Sequence, residues 1–142
     1  MTSRQELREA VANLLKAKSV VAQEIFPYLP SDFGGKSPIV CITGAGSERT
    51  RITSRGSKAT FHIVAETFTL YSDPNATPPW TPQDAENTMD ALEEDIATIV
   101  ASNPSSEHWT SLMYETTSAV SKVTVGGVAY LYEIIPLVAE VL

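Results

Sequence analysis

The sequence has few of the residues on which most enzyme and metal-site chemistry depends. It contains one cysteine, Cys41, and two histidines, which excludes an internal disulfide framework and leaves few ligands for a metal site. No apolar stretch approaches the roughly 20 residues of a bilayer-spanning helix. The first residues, MTSRQELREAV, lack a signal-peptide core. We therefore expect a soluble protein made in the cytoplasm, with Cys41 buried and reduced.

Basic residues are nearly absent from the second part of the chain. Residues 1–58 hold nine of the ten lysines and arginines against five acids, whereas residues 59–142 hold only Lys122 against twelve acids. The two parts therefore carry formal charges of +4 and −11, which together give the net charge of −7. Such asymmetry is typical of interaction, with an external polyanion or between copies packed side by side. Two solvated surfaces without a partner are the alternative.

Two segments have the capping residues and apolar spacing of helices. Ser3 and Glu6 form a capping box before apolar residues at helical spacing, which predicts a helix over about residues 3–17. The sequence TPQD at residues 81–84 offers a threonine cap, a proline at the first helical position and an acid in the first turn. These features predict a second helix that ends near Ser102.

The other apolar segments predict the strands of one sheet, because they are rich in β-branched and aromatic residues. The order of helices and strands indicates an α+β fold in which both helices pack on one face of a mainly antiparallel sheet. The length of 142 residues is that of a single domain, residues 1–142. The predicted strands are residues 20–26, 38–43, 59–71, 109–117, 122–125 and 128–135.

The closing segment VTVGGVAYLYEIIPLVAEVL is apolar on both faces, whereas a half-solvated strand would alternate. Its glycine pair predicts a hairpin turn. We expect a second copy of the chain to cover one face, with Leu137 and Val141 at the subunit contact.

Pro136 cannot donate to a sheet ladder. It therefore predicts that residues 137–142 lie at an edge and cross to a neighbour, so that truncating them abolishes assembly before folding.

Residues 44–58, GAGSERTRITSRGSK, are polar and basic. They predict an exposed, mobile loop or a loose hairpin. We interpret this loop as a docking element for a neighbouring acidic surface, with a simple solvated loop as the alternative. Nucleic acid fits less well, because the loop lacks aromatic stacking partners and the rest of the chain is acidic. The candidate docking residues are Arg49, Arg51, Arg55 and Lys58.

The exposed faces of the second predicted helix are acidic. This favours an electrostatic role over acid–base catalysis by paired carboxylates. The candidate residues are Glu86, Asp90, Glu93 and Glu94.

No local motif indicates catalysis or metal binding. Neither histidine lies in a ligand cluster, and no nucleophile motif surrounds Cys41. The glycines of residues 44–47 lack the GK[ST] ending of a phosphate loop. We expect no catalytic, cofactor-binding or metal-binding residues, and an activity that depends on Cys41 or His62 is the alternative.

The order and character of these segments resemble the small tail terminator proteins of long-tailed bacteriophages. The resemblance spans nearly the whole chain and includes a tryptophan between the second helix and the closing hairpin. It is carried by RQELREAVANLLKA, ATFHIVAETFTLY, DAENTMDALEEDIATIV and VGGVAYLYEIIPLVAEV.

The resemblance implies a structural virion protein, located in the tail or neck and assembled in the host cytoplasm. Such a protein forms a ring, usually a hexamer, that caps the tail tube, ends its polymerisation and joins the tail to the head. Its implied partners are further copies of itself, the tail tube protein and a neck or connector protein. DNA would pass through the ring without specific binding, and no membrane, cofactor or catalytic residue is implied. A neck or head-completion adaptor of the same virion and a non-viral oligomeric binding module are the alternatives.

Overall fold

A computed structural model describes residues 2–51, 56–115 and 119–142. Within these residues the chain forms two helices and six strands. Their bounds are α1 Arg4–Lys18, β1 Glu24–Phe26, β2 Ile39–Arg51, β3 Ser57–Leu70, α2 Pro82–Ser102, β4 Ser111–Tyr114, β5 Ala119–Val125 and β6 Val128–Val141.

Both helices begin where their capping residues predict. The Ser3 hydroxyl accepts a hydrogen bond from the Glu6 N–H at 3.1 Å, which satisfies one of the free donors at the start of α1. At the start of α2, the Thr81 side chain and the Asp84 carboxylate form a reciprocal capping box. Each helix buries one apolar face and leaves the others to solvent. The two predicted helices are therefore confirmed to within a residue or two at each end.

The sheet is mainly antiparallel, with strand order β1-β2-β3-β6-β4, and β5 also pairs with β6. The pairing of β1 with β2 is parallel and the other pairings are antiparallel. Helix α1 packs against β1 and β2, whereas α2 packs against β3, β4 and β6. The α+β fold with both helices on one face of the sheet is therefore confirmed.

The main core lies between the helices and the sheet. Alternate residues of β3 and β6 point into it, because successive strand side chains face opposite sides. Trp109 closes one end of this core, and its Nε1 donates to the Asn103 carbonyl at 3.1 Å. The fully buried side chains of this core include Leu7, Val11, Val40, Ile42, Phe61, Ile63, Leu92, Ile135 and Leu137.

A second, smaller core lies on the other face of the sheet. Phe33, from the connection between β1 and β2, packs on the rings of Phe68 and Tyr130, with centroid distances of 4.7 and 5.4 Å. Ile39 and Cys41 complete this cluster. The chain therefore covers one end of its second sheet face itself, whereas the sequence suggested that a second copy would supply the cover.

The prediction that the end of the last strand lies at an edge is wrong. Strand β6 pairs with β3 over its length, and residues 137–140 also pair with β4. The Pro136 carbonyl accepts from the Glu115 N–H at 3.0 Å. Because the N and O of a strand residue point to the same side, the missing N–H of Pro136 faces Glu115, just beyond the last β4 pair at Tyr114. The proline therefore removes one donor where the β4 ladder ends and leaves the pairing of β6 with β3 intact.

The predicted loop over residues 44–58 is largely a β-hairpin. Strand β2 continues to Arg51, and β3 begins at Ser57, with paired residues up to Arg51 and Ser57. A register shift between Gly44 and Gly46 starts this extension, and Gly46 has φ of +142°. The hairpin alternative is correct for the described part. Residues 52–55, including Arg55, lie outside the described residues.

The remaining strand predictions differ mainly in length. Only Glu24–Phe26 of the predicted strand 20–26 is paired in a ladder. In the predicted strand 109–117, of which residues 109–115 are described, the ladder covers Ser111–Tyr114. The closing hairpin is confirmed, with Gly126 and Gly127 at φ of +58° and +80° in its turn. These positive angles favour glycine because it has no Cβ.

Candidate interaction surfaces

The basic residues of the hairpin lie on two different faces. Arg49 pairs with Ala59 and therefore lies on the helix side, where its guanidinium carbon is 5.4 Å from the centroid of the Phe61 ring. Arg51 shares this side, because it is two residues further along β2. Lys58 lies on the opposite side, where its Nζ is 3.0 Å from Glu140 Oε1. The three docking candidates that the structure describes, Arg49, Arg51 and Lys58, therefore do not form one patch.

The acidic candidates of α2 are mostly on one exposed surface. Glu86, Asp90 and Glu94 are exposed, whereas Glu93 is half-buried. The Glu93 carbonyl accepts from the Tyr114 hydroxyl at 3.4 Å, which ties this part of α2 to β4. The exposed carboxylates lie on the outer side of the helix, away from the core residues of α2.

A further acid of α2 has a structural role. Asp95 Oδ2 accepts from the Ser19 hydroxyl at 2.7 Å and from the Val20 N–H at 3.2 Å. These two bonds fix the turn after α1 against α2. They leave the Val20 side chain 88% exposed, the highest value among the large apolar residues that the structure describes.

The charge asymmetry of the sequence becomes a separation across the sheet. Helix α1, with Lys16 and Lys18 in its last turn, packs over β1 and β2 at one edge. Helix α2, with its exposed acids, packs over β3, β4 and β6 toward the other edge. The two helices therefore cover opposite edges of the sheet, and the basic end of α1 meets α2 at the Ser19–Asp95 hydrogen bond.

The prediction that Leu137 and Val141 contact a neighbouring copy is wrong. Leu137 is 0% exposed and Val141 is 5% exposed, and both belong to the core beneath the helices. They point to the helix side together with Ile135 and Ala139. Because their own chain covers them, they offer no surface to a second copy.

The opposite face of the same strands carries apolar residues that the chain covers only in part. Two direct cross-strand pairs belong to it, Val64 with Pro136 and Met113 with Val138. Met113 is 55% exposed. Ion pairs border this face, one of which joins His62 Nδ1 to Glu115 at 3.1 Å. We call these side chains the open strip: Val64, Met113, Ile134, Pro136 and Val138.

A groove adjoins the open strip, and the charged residue that lines it is Glu66. It encloses about 430 Å³. Glu66 Oε2 accepts from the Thr43 hydroxyl at 3.1 Å, and Oε1 accepts from the Tyr132 hydroxyl. Burial raises the pKa of Tyr132, and the hydrogen bond to Glu66 raises it further, so that the phenol remains a donor. We call this the Glu66 groove, with Leu29, Phe68, Val123, Val125 and Tyr132 as its main apolar walls.

The two side chains considered for catalysis are far apart. Cys41 is buried, and burial, with a further contribution from Glu66, raises its pKa to about 12. It pairs with Glu66 on β3, four residues from His62, or about 13 Å at the rise of a strand. His62 instead contacts Glu115. In the described ranges, no three histidine, cysteine or acidic side chains are placed to hold a metal ion.

Sequence reasoning did not identify Glu66 as a site residue. Its only signal is an acid at the centre of the strand sequence ATFHIVAETFTLY, where apolar residues dominate. Neither described helix is both long and apolar enough to cross a membrane. No protein-family model and no curated protein matches this chain.

Proposed function

We propose that this chain is a structural virion protein that forms a closed ring on the end of the tail tube of a long-tailed bacteriophage. As in the resemblance described above, the ring is a hexamer that ends tube polymerisation and joins the tail to the neck. The observation that supports this proposal most is that helix α1, whose last turn is basic, and the acidic helix α2 pack over opposite edges of the sheet.

Two different surfaces of opposite charge suit a head-to-tail contact. Subunits that use two distinct surfaces form rings when the rotation closes, whereas subunits that use one self-complementary surface form pairs. The charge pattern favours the first arrangement, because the exposed acids of α2 repel another α2 and attract a basic surface of a neighbouring subunit. Oppositely charged edges therefore support ring formation.

The exposed acids of α2 also suit a surface near the passing DNA. Glu86, Asp90 and Glu94 would repel phosphates from a channel wall, so that DNA moves through without being held. The β2–β3 hairpin, with Arg49 and Arg51 on one side, is the proposed element for docking onto the tail tube or the neck protein. In this proposal the charges act in assembly and DNA passage, and no residue has a catalytic role.

Size-exclusion chromatography with light scattering tests the proposal. We expect a particle of about six times the subunit mass of 15.4 kDa, either alone or when tail tubes are present. Added protein should also stop the elongation of tubes in a polymerisation assay. A protein that remains monomeric at all concentrations, with and without tubes, contradicts the proposal. Binding to portal complexes in place of tubes indicates a neck adaptor instead.

A further inference from the structure

We propose that the Glu66 groove receives the C-terminal end of α1 from a second copy of the chain. In this contact the Lys18 ammonium pairs with the Glu66 carboxylate, and Val20 packs on the apolar walls of the groove. The inference rests on the self-association part of the proposed function, and it identifies the two surfaces that meet.

The Glu66 carboxylate is arranged to accept a cation. Two hydroxyls, those of Thr43 and Tyr132, hold its oxygens in place. No lysine, arginine or histidine of the described residues forms an ion pair with it. The Tyr132 ring lines the same groove and stacks at 4.9 Å on the buried ring of Phe68. A carboxylate at such an apolar surface attracts an alkylammonium group by charge.

The end of α1 has the complementary properties. Lys18 is the last residue of the helix, is exposed, and has no ion-pair partner among the described residues. Two residues later, Val20 exposes 88% of its surface. The bonds from Ser19 and Val20 to Asp95 fix this turn in place. A fixed apolar side chain beside a cation loses little conformational entropy when it enters an apolar groove.

The two surfaces lie on different sides of the molecule. The end of α1 belongs to the helix layer over β1 and β2, whereas the groove lies on the other face of the sheet, beside the turn at Gly126. A contact between them is therefore heterologous, as a closed ring requires. The contact also brings a neighbouring subunit next to the open strip and offers it further cover.

Site-directed cross-linking tests this contact. Val20→Cys and Thr124→Cys place thiols on the exposed valine and on an exposed position of the groove wall. Co-expressed with different tags and treated with a short bis-maleimide, the two variants should give a mixed dimer, and each alone should give none. Cys41 does not compete, because it is buried. Absence of the mixed dimer, or equal yields from each variant alone, overturns the inference.

Charge substitutions provide an independent test that needs no new thiol. We expect Lys18→Glu and Glu66→Gln each to raise the dissociation constant of self-association about tenfold. Lys18→Glu combined with Glu66→Lys should restore it. Arg4→Glu is the matched control, because it makes the same charge change at the other end of the same helix. Equal effects of Lys18→Glu and Arg4→Glu, with no rescue by the double variant, contradict the inference.

The two proposals fail in different ways. A ring that caps tubes but gives no mixed dimer excludes this contact and leaves the proposed function intact. A mixed dimer from a protein that does not affect tube elongation supports the contact and excludes the tail function. A protein that stays monomeric at all concentrations and with tubes excludes both.

Discussion

At the scale of single residues, burial decides what the polar groups of this chain do. Cys41 lies in the second core, and its pKa is raised to about 12 because a buried thiolate would lose its hydration. Tyr114 and Tyr132 have raised pKa values for the same main reason. These groups therefore stay neutral at physiological pH and act as packed residues or hydrogen-bond donors.

The Cys41 thiol should be protected from modification in the folded protein. Only a thiolate reacts readily, and both the raised pKa and the burial of Cys41 oppose its formation. At pH 8 we expect no reaction with an aromatic disulfide reagent over an hour and complete reaction after unfolding in guanidinium. Rapid reaction of the native protein, with an intact circular dichroism spectrum, contradicts this placement of Cys41.

The same shift makes stability depend on pH. The folded pKa of about 12 exceeds the unfolded value of about 8.5. The contribution of Cys41 to the free energy of unfolding is therefore complete below about pH 8.5 and is lost as pH rises toward 12. The loss should be roughly 1.4 kcal/mol per pH unit within this window. Urea unfolding of the wild type and Cys41→Ala at pH 7, 9 and 10.5 measures it. The stability difference between the two proteins should fall with pH, because the tyrosines titrate in both.

Neighbouring residues of β6 should differ sharply in their effect on stability. Leu137 lies in the core beneath the helices, whereas Val138 belongs to the open strip. We expect Leu137→Ala to lower the free energy of unfolding by about 2–5 kcal/mol and Val138→Ala by about 1 kcal/mol or less. Chemical denaturation measures both. Equal small effects would indicate that Leu137 does not lie in the core.

At the scale of elements, the parts with strong local signals were predicted well. Both helices follow from their caps and apolar spacing, and the closing hairpin follows from the Gly126–Gly127 pair. The polar strand residues 44–51 gave no such signal, because the hairpin extends beyond the core and needs no apolar alternation. The prediction from Pro136 was wrong for another reason. The partners of a strand come from segments that are distant in sequence, so a local pattern does not show which side of the strand is paired.

The sequence predicted the candidate surfaces only in part, because local patterns do not contain the strand pairing. The exposed acids of α2 follow from helical spacing, whereas the separation of Lys58 from Arg49 and Arg51 depends on strand alternation in a segment predicted as a loop.

Truncation of residues 137–142 is now expected to unfold the domain. It removes strand pairing with β3 and β4 together with buried core residues.

The hairpin arginines should affect joining more than folding. Replacing Arg49, Arg51 and Arg55 by glutamate reverses the charge of the proposed docking element, while the loss of the cation–π contact on Phe61 costs only about 1 kcal/mol. We expect tail joining in vitro to fall at least tenfold, with the melting temperature lowered by a few degrees. Arg4→Glu is the control. Normal joining by the triple variant contradicts the docking role.

At the scale of the whole molecule, the central feature is a domain whose two helices carry opposite charges over opposite edges of one sheet. The exposed Val20 and the Glu66 groove offer a specific head-to-tail contact between two such subunits. Because exposed charges are screened by salt, assembly should weaken as ionic strength rises. Sedimentation velocity at 50 and 500 mM salt measures this, and stronger assembly at high salt would indicate a mainly apolar contact.

Electron microscopy of the purified protein mixed with tail tubes tests the central claim most directly. The protein should form rings, of six subunits by the resemblance, that sit on one end of each tube, and capped tubes should not elongate when tube protein is added. Uncapped tubes that continue to elongate in the presence of excess protein would contradict the proposed function.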